Sequence, residues 1–133
     1  MSYTVFVSHA SADKWVAEQF AKQVENRGAR AFLDARGIET GDRFDDELKK
    51  ALNDADELLV LLTPAALERP YVWIEIGVAW SQEKRIVGIL YGVTTNELAS
   101  QEGTPAFMKG ILLRDITDFD EYLGELSRRL GHD

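Results

Sequence analysis

The sequence predicts an α/β protein: one parallel five-stranded sheet with helices on both faces. Three observations predict it. Short apolar runs rich in β-branched residues alternate with longer amphipathic runs, so strand and helix take turns along the chain. The run Glu57–Thr63 (E-L-L-V-L-L-T) is almost continuously apolar, as a strand covered on both faces requires. The chain has 133 residues, 45% of them apolar, which suits a single domain over 1–133 with one ordinary core.

Tyr3–Val7 (Y-T-V-F-V) is aromatic and β-branched and predicts the first strand. Ser11–Arg27 predicts a helix, with Ser11 and Asp13 as N-cap candidates and Trp15, Val16, Phe20 and Val24 as its apolar stripe. Gly28 stands where a helix stop is expected, and Ala29–Asp34 is a second strand. Ala35–Arg43 (A-R-G-I-E-T-G-D-R) is a charged loop with two glycines. Phe44–Asn53 is helical, with Phe44, Leu48 and Leu52 on one face. Glu57–Thr63 is the third strand, ended by Thr63-Pro64. Pro70 suits the first position of a helix running to about Lys84. Arg85–Tyr91 is the fourth strand. Gly92–Lys109 is mixed, with a helical turn near Asn96–Ser100. Ile111–Leu113 is a short fifth strand and Phe119–Leu130 a closing helix. Trp73 and Trp80 read as core, and Arg128-Arg129 as a solvated helix end. Five strands so connected fit the flavodoxin-like order 2-1-3-4-5, a three-layer sandwich.

The net charge of −8 argues against a generic phosphate-backbone binder, so no nucleic-acid partner is expected. Cysteine is absent, which excludes disulfides, thiolate metal sites and a cysteine nucleophile. Two histidines, His9 and His132, are too few for a typical zinc site, and no metal is expected. No stretch approaches the roughly 20 apolar residues of a membrane span. Met1-Ser2-Tyr3-Thr4 begins no signal peptide. A soluble cytoplasmic protein with no membrane partner is the expectation.

In such sheets ligands bind beyond the carboxyl ends of the strands, at the switch point between strands 1 and 3. Strand 1 ends in Ser8-His9-Ala10-Ser11 and strand 3 in Thr63-Pro64; strand 2 ends in Asp34 and the glycine loop. The helix from Pro70 follows strand 3 and reaches the same rim. Val72–Trp80 holds one charge, Glu75, and Tyr71 lies one turn before it on the same face. A carboxylate in apolar surroundings is pushed toward its neutral form unless it is paired or hydrogen-bonded, and such groups are enriched at functional sites. Glu75 either faces a pocket at the switch point or serves structure, holding a backbone group or pairing with Lys84 or Arg85.

The strand ends reject several chemistries of this fold. A phosphoacceptor receiver needs an acidic pair after strand 1, an aspartate after strand 3 and a lysine after strand 5. Here those places hold Ser8-His9, Thr63-Pro64 and Arg114-Asp115. The segment Ser8–Asp13 has hydroxyls but lacks the glycine of a flavin-phosphate loop. Neither G-x-G-x-x-G nor a P-loop is present. Ser8 and His9 are adjacent on a strand and point to opposite faces, so they make no nucleophile–base pair.

At these residues the chain resembles a Toll/interleukin-1 receptor (TIR) domain of the bacterial type, over nearly its full length. Val5-Phe6-Val7-Ser8-His9-Ala10 is similar to the first box of that family. Phe32-Leu33-Asp34 with Gly41-Asp42 resembles its second strand and BB loop, and Leu59–Thr63 with Pro64 its third strand and exit. Tyr71-Val72-Trp73-Ile74-Glu75-Ile76-Gly77 resembles its W-x-x-x-E helix. Each box is weakly specific alone; four in order are strong. The chain departs from the motif at Tyr71, which stands at the tryptophan position. Trp73 is roughly 200° around the helix from it.

The resemblance implies an NAD⁺ glycohydrolase. Many TIR domains cleave the nicotinamide–ribose bond and release nicotinamide with ADP-ribose or a cyclic ADP-ribose. Others act only as self-associating adaptors. In catalytic members the motif glutamate is essential, and here it is Glu75. Ser8, His9, the Ala10 amide, Asp34 and Tyr71 are the implied substrate contacts. Arg36, Gly37, Glu39, Gly41 and Asp42 fall in the BB loop, through which family members assemble. NAD⁺ enters as substrate, so no cofactor is expected. The implied partners are a second copy of the domain and other TIR or sensor domains, in prokaryotic immune defence or signalling. Two rivals remain: a non-enzymatic interaction module, and a nucleoside or nucleotide N-glycosidase.

Overall fold

The computed structural model describes residues 2–33, 46–100 and 111–131. Its strands are β1 (Thr4–Ser8), β2 (Arg30–Leu33), β3 (Glu57–Leu62), β4 (Arg85–Leu90) and β5 (Leu112–Asp115). Its helices are α1 (Lys14–Asn26), α2 (Asp46–Asp54), α3 (Pro64–Leu67), α4 (Pro70–Ser81), α5 (Thr95–Ser100) and α6 (Phe119–Arg129). Tight 3-10 turns at Ser11–Asp13 and Ile116–Asp118 lead into α1 and α6. All pairings are parallel, in the order β2-β1-β3-β4-β5 that the sequence predicts.

The middle strand explains the layers. Every residue of β3 is buried. Leu58, Val60 and Leu62 turn to one face, where they join Leu48 and Leu52 of α2 and Val72 and Ile76 of α4. Leu59 and Leu61 turn to the other, against Phe20 and Val24 of α1 and Tyr122 and Leu126 of α6. Alternation along one strand thus supplies both cores. Stacked rings reinforce each layer: Phe6 on Phe32 at 5.1 Å, and Phe20 on Phe119 at 4.2 Å. Val7 stands level with Leu33 on one side and Leu59 on the other, so the carboxyl ends of β1, β2 and β3 form one rim.

Some boundaries fall where expected and others do not, each for a local reason. Gly28 closes α1 at φ +99°, the left-handed stop that glycine adopts without strain. Helix α4 stops at Ser81, short of Lys84, because Glu83 turns left-handed at φ +58° and the Lys84 N–H returns to the Ala79 carbonyl at 3.0 Å. The Lys84 ammonium then caps the carbonyls of Asn53 and Ala55 rather than pairing with Glu75. Helix α3 is an addition: the Thr63 oxygen accepts from Ala66 N at 3.1 Å and starts a short helix at Pro64.

Two tryptophans expected inside lie outside: Trp15 is 71% exposed and Trp80 55%. The buried face of α1 runs through Ala17, Phe20, Ala21 and Val24, and Trp15 falls roughly 200° from Ala17. On α4 the buried face is Val72, Glu75, Ile76 and Ala79, and Trp80 falls roughly 100° beyond it. Trp73, expected in the core, is half-buried against it, and its indole N–H donates to the Leu67 carbonyl at 3.1 Å. Phe44 and His132 lie outside the described residues.

A buried charge sits at the amino ends of the strands. Glu57 is fully buried and accepts from the phenols of Tyr3 and Tyr122 at 2.6 Å each. The Arg129 guanidinium donates to the same carboxylate at 2.9 to 3.1 Å. Arg129 is therefore an ion-pair partner, not the solvated helix end the sequence reading expected. Burial, with the Glu57 hydrogen bond and charge, pushes the Tyr3 phenol up to about 12. Burial and the Glu57 charge raise Tyr122 further. Burial alone would lower Arg129, but the Glu57 charge and hydrogen bonds outweigh it and the net shift is upward.

Candidate functional site

At the opposite ends of the strands, four buried polar side chains gather: Ser8, His9, Thr63 and Glu75. Burying such groups is costly unless they are hydrogen-bonded, so their partners define the site. Ser8 closes β1 beside Val60 of β3 and is 1% exposed. It faces α4, where the second turn carries Glu75, also 1% exposed. Ser8 Oγ donates to Glu75 Oε1 at 2.5 Å. A hydroxyl donating to a carboxylate forms a short, charge-assisted bond when that carboxylate is ionised.

One turn earlier, Tyr71 makes a second bridge. Its phenol donates to the His9 carbonyl at 3.0 Å. Tyr71 and Glu75 thus grip successive residues of the β1 exit from one face of α4, as their i, i+4 spacing predicts. The hydroxyl that tyrosine adds at the tryptophan position is what makes the bridge to His9. A surface ion pair is overturned as the role of Glu75: it is buried, and Lys84 is engaged elsewhere.

The connection beyond β1 is held from β3. The Thr63 hydroxyl donates to the Asp13 carboxylate, and the Asp13 N–H donates to the Ala10 carbonyl at 2.9 Å. Asp13 therefore does not cap α1 with its side chain, and Ser11 opens the 3-10 turn with no capping side chain before it. Ala10 is fully buried and packs into the core beside α4. The pairing of Thr63 with Asp13 was not anticipated. A threonine directly before Pro64 is a recognisable helix cap, but nothing local points to Asp13.

Ser8, His9, Ala10, Tyr71 and Glu75 are therefore brought together. Asp34 and the loop residues Arg36, Gly37, Glu39, Gly41 and Asp42 lie outside the described residues. A separate cavity of about 190 Å³ is lined by Val87, Leu113, Arg114, Tyr122, Glu125 and Arg129. Both of its guanidiniums are engaged, Arg114 with Glu121 and Glu125 and Arg129 with Glu57. None of the Glu75 group lines it, so we place no substrate there. Among the described residues, no helix is long and apolar enough to cross a membrane.

Comparison with known proteins agrees with this fold. The chain is 24% identical over 131 residues to a probable 2' cyclic ADP-D-ribose synthase of Brachypodium distachyon, covering 97% of this chain and 58% of that protein. It spans less than two thirds of that relative. The TIR domain of the Toll-related receptor TRR-2 from Hydra magnipapillata superposes with a TM-score of 0.65 at 21% identity, over 97% of this chain and 95% of that one. The TIR domains of an activated resistosome that recognises a pathogen effector give a TM-score of 0.66 at 17% identity, covering 97% of each chain. At these identities the structural likeness speaks for the fold. The family model of the TIR domain matches residues 5–127, nearly the whole chain. This protein belongs to the TIR domain family.

Proposed function

We propose that the domain cleaves NAD⁺ between nicotinamide and ribose, with Glu75 as the catalytic carboxylate. The observation that carries this reading is a buried, hydrogen-bonded glutamate at the switch point of the sheet, one turn after an aromatic residue. The plant relative named as a probable cyclic ADP-ribose synthase supports the same bond cleavage.

The chemistry needs little else. Nicotinamide leaves as a neutral group from a cationic one, so no acid has to protonate it. Positive charge develops at the anomeric carbon, and a fixed carboxylate stabilises it. At about 4 Å and an effective dielectric of about 20, that attraction is on the order of 4 kcal/mol. Such a gain corresponds to roughly three orders of magnitude in rate. Attack by water gives ADP-ribose; attack by a hydroxyl or adenine nitrogen of the substrate gives a cyclic product. NAD⁺ is substrate here, not a resident cofactor. We place the reaction in the cytoplasm, in prokaryotic immune defence or signalling. Self-association through residues 36–42 would complete or gate the site.

One observation favours a second reading, a self-associating module without catalysis. Helix α4 presents Ile74 and Trp80 outward, 47% and 55% exposed. A single experiment separates the two: nicotinamide release from NAD⁺ at high protein concentration, wild type beside Glu75→Gln, with product mass recorded. We expect release that falls at least about a hundredfold in the mutant. No release from either protein, even when crowding forces assembly, would favour the module. Release from nucleoside monophosphates instead of NAD⁺ would move the reaction to a nucleotide N-glycosidase.

A further inference from the structure

A serine hydroxyl has one proton to give, and Ser8 gives it to Glu75 Oε1 at 2.5 Å. We propose that Ser8 is a positioning residue for Glu75: it fixes the orientation of the carboxylate and keeps it anionic, and it is not a substrate ligand. The kinetic part of this inference rests on the glycohydrolase reading; the structural part does not.

A glutamate turns about three torsions, the last of them soft, so a buried one needs a partner to point one way. Apolar surroundings favour the neutral acid, and a hydrogen bond to the charged form opposes that. The apolar surroundings are present: Val72, Ile76 and Ala79 are fully buried on the same helix. The geometry leaves little play between the two side chains. Ser8 is locked in register with Val60, and the Tyr71–His9 bridge holds α4 against the β1 exit one turn away. With both residues 1% exposed, water is a poor substitute for either partner.

Among the described residues, the other titratable groups at this rim are His9, Tyr71 and Asp13, and Asp13 takes the Thr63 hydroxyl. On the neighbouring elements Lys49, Lys50, Asp54, Glu68, Arg69 and Arg85 are exposed. All of these remain in a Ser8 variant, so a change confined to such variants belongs to the Ser8 bond.

The test follows the Glu75 ¹³Cδ resonance across pH in the full chain, assigned by its loss in Glu75→Gln, alongside nicotinamide release from NAD⁺. In Ser8→Ala the titration midpoint should rise by about one to two pH units. The kcat at neutral pH should fall about 10- to 100-fold with KM little changed. Ser8→Thr should restore both. Ser8→Cys, with its weak donor, should fall between and serves if the alanine variant does not fold. A midpoint unmoved in the alanine or cysteine variant overturns the proposal. So does a raised KM at unchanged kcat, which would make Ser8 a substrate ligand. A wild type that releases no nicotinamide would sink the glycohydrolase reading instead, while the titration still decides the role of Ser8.

Discussion

Thr63 uses one hydroxyl twice, accepting from Ala66 N–H and donating to Asp13. It therefore starts α3 and anchors the segment that carries Ser8 and His9. Thr63→Val keeps the side chain's shape and removes both bonds. We expect a loss of about 1–3 kcal/mol, read as a lower urea midpoint, with Thr63→Ser losing much less. At this scale the sequence was informative where partners are close along the chain and silent where they are distant. Tyr71 and Glu75 share a face because of helical spacing, and that was legible. The Ser8–Glu75 bond joins residues 67 positions apart, and no local pattern encodes it. Trp15 and Trp80 show the complementary error. A large apolar ring draws attention, but Ala17, Ala21 and Ala79 mark the buried faces.

Helix α4 carries the site because of how it begins and where it stops. Its start was legible in Pro70, whose fixed φ and missing N–H suit the first helical position. Its end was not, because the left-handed turn falls on Glu83, not on a glycine or asparagine. A non-glycine residue in that region carries strain on the order of 1 kcal/mol. Glycine relieves it but gains freedom in the unfolded chain, which offsets part of the benefit. Glu83→Gly should therefore be neutral or stabilising by up to about 1 kcal/mol, a rise in Tm of a few degrees at most. A clear fall in Tm would show that the Glu83 side chain contributes a contact that outweighs the strain. Helix α3 escaped notice because a four-residue helix has too few positions to show a period.

The whole molecule was legible in its sheet. The apolar run of β3 announced a strand buried on both sides, and the alternation of strands and helices limited the order. What escaped was the Glu57 cluster, which joins residues separated by 54 to 72 positions. Its titration gives a prediction for the entire fold. Tyr3 ionises near 10.0 when free and near 12 in the folded protein. The folded state thus keeps a proton that the unfolded chain loses. The stability contribution is complete below pH 10 and declines as pH rises toward 12, with Tyr122 adding in the same direction. Urea midpoints at pH 9 and pH 11 should show that fall in the wild type and a shallower one in Tyr3→Phe. Equal slopes in the two proteins would remove Tyr3 from the account.

The cluster has a mechanical meaning as well. Tyr3 near the start of the chain and Arg129 near its end hold one carboxylate, at the pole farthest from Glu75. A reporter joined before Tyr3 or after Arg129 would depart from that pole, away from Ser8 and Glu75. Tension applied between Tyr3 and Arg129 would strain the bonds to Glu57 before it reached Glu75.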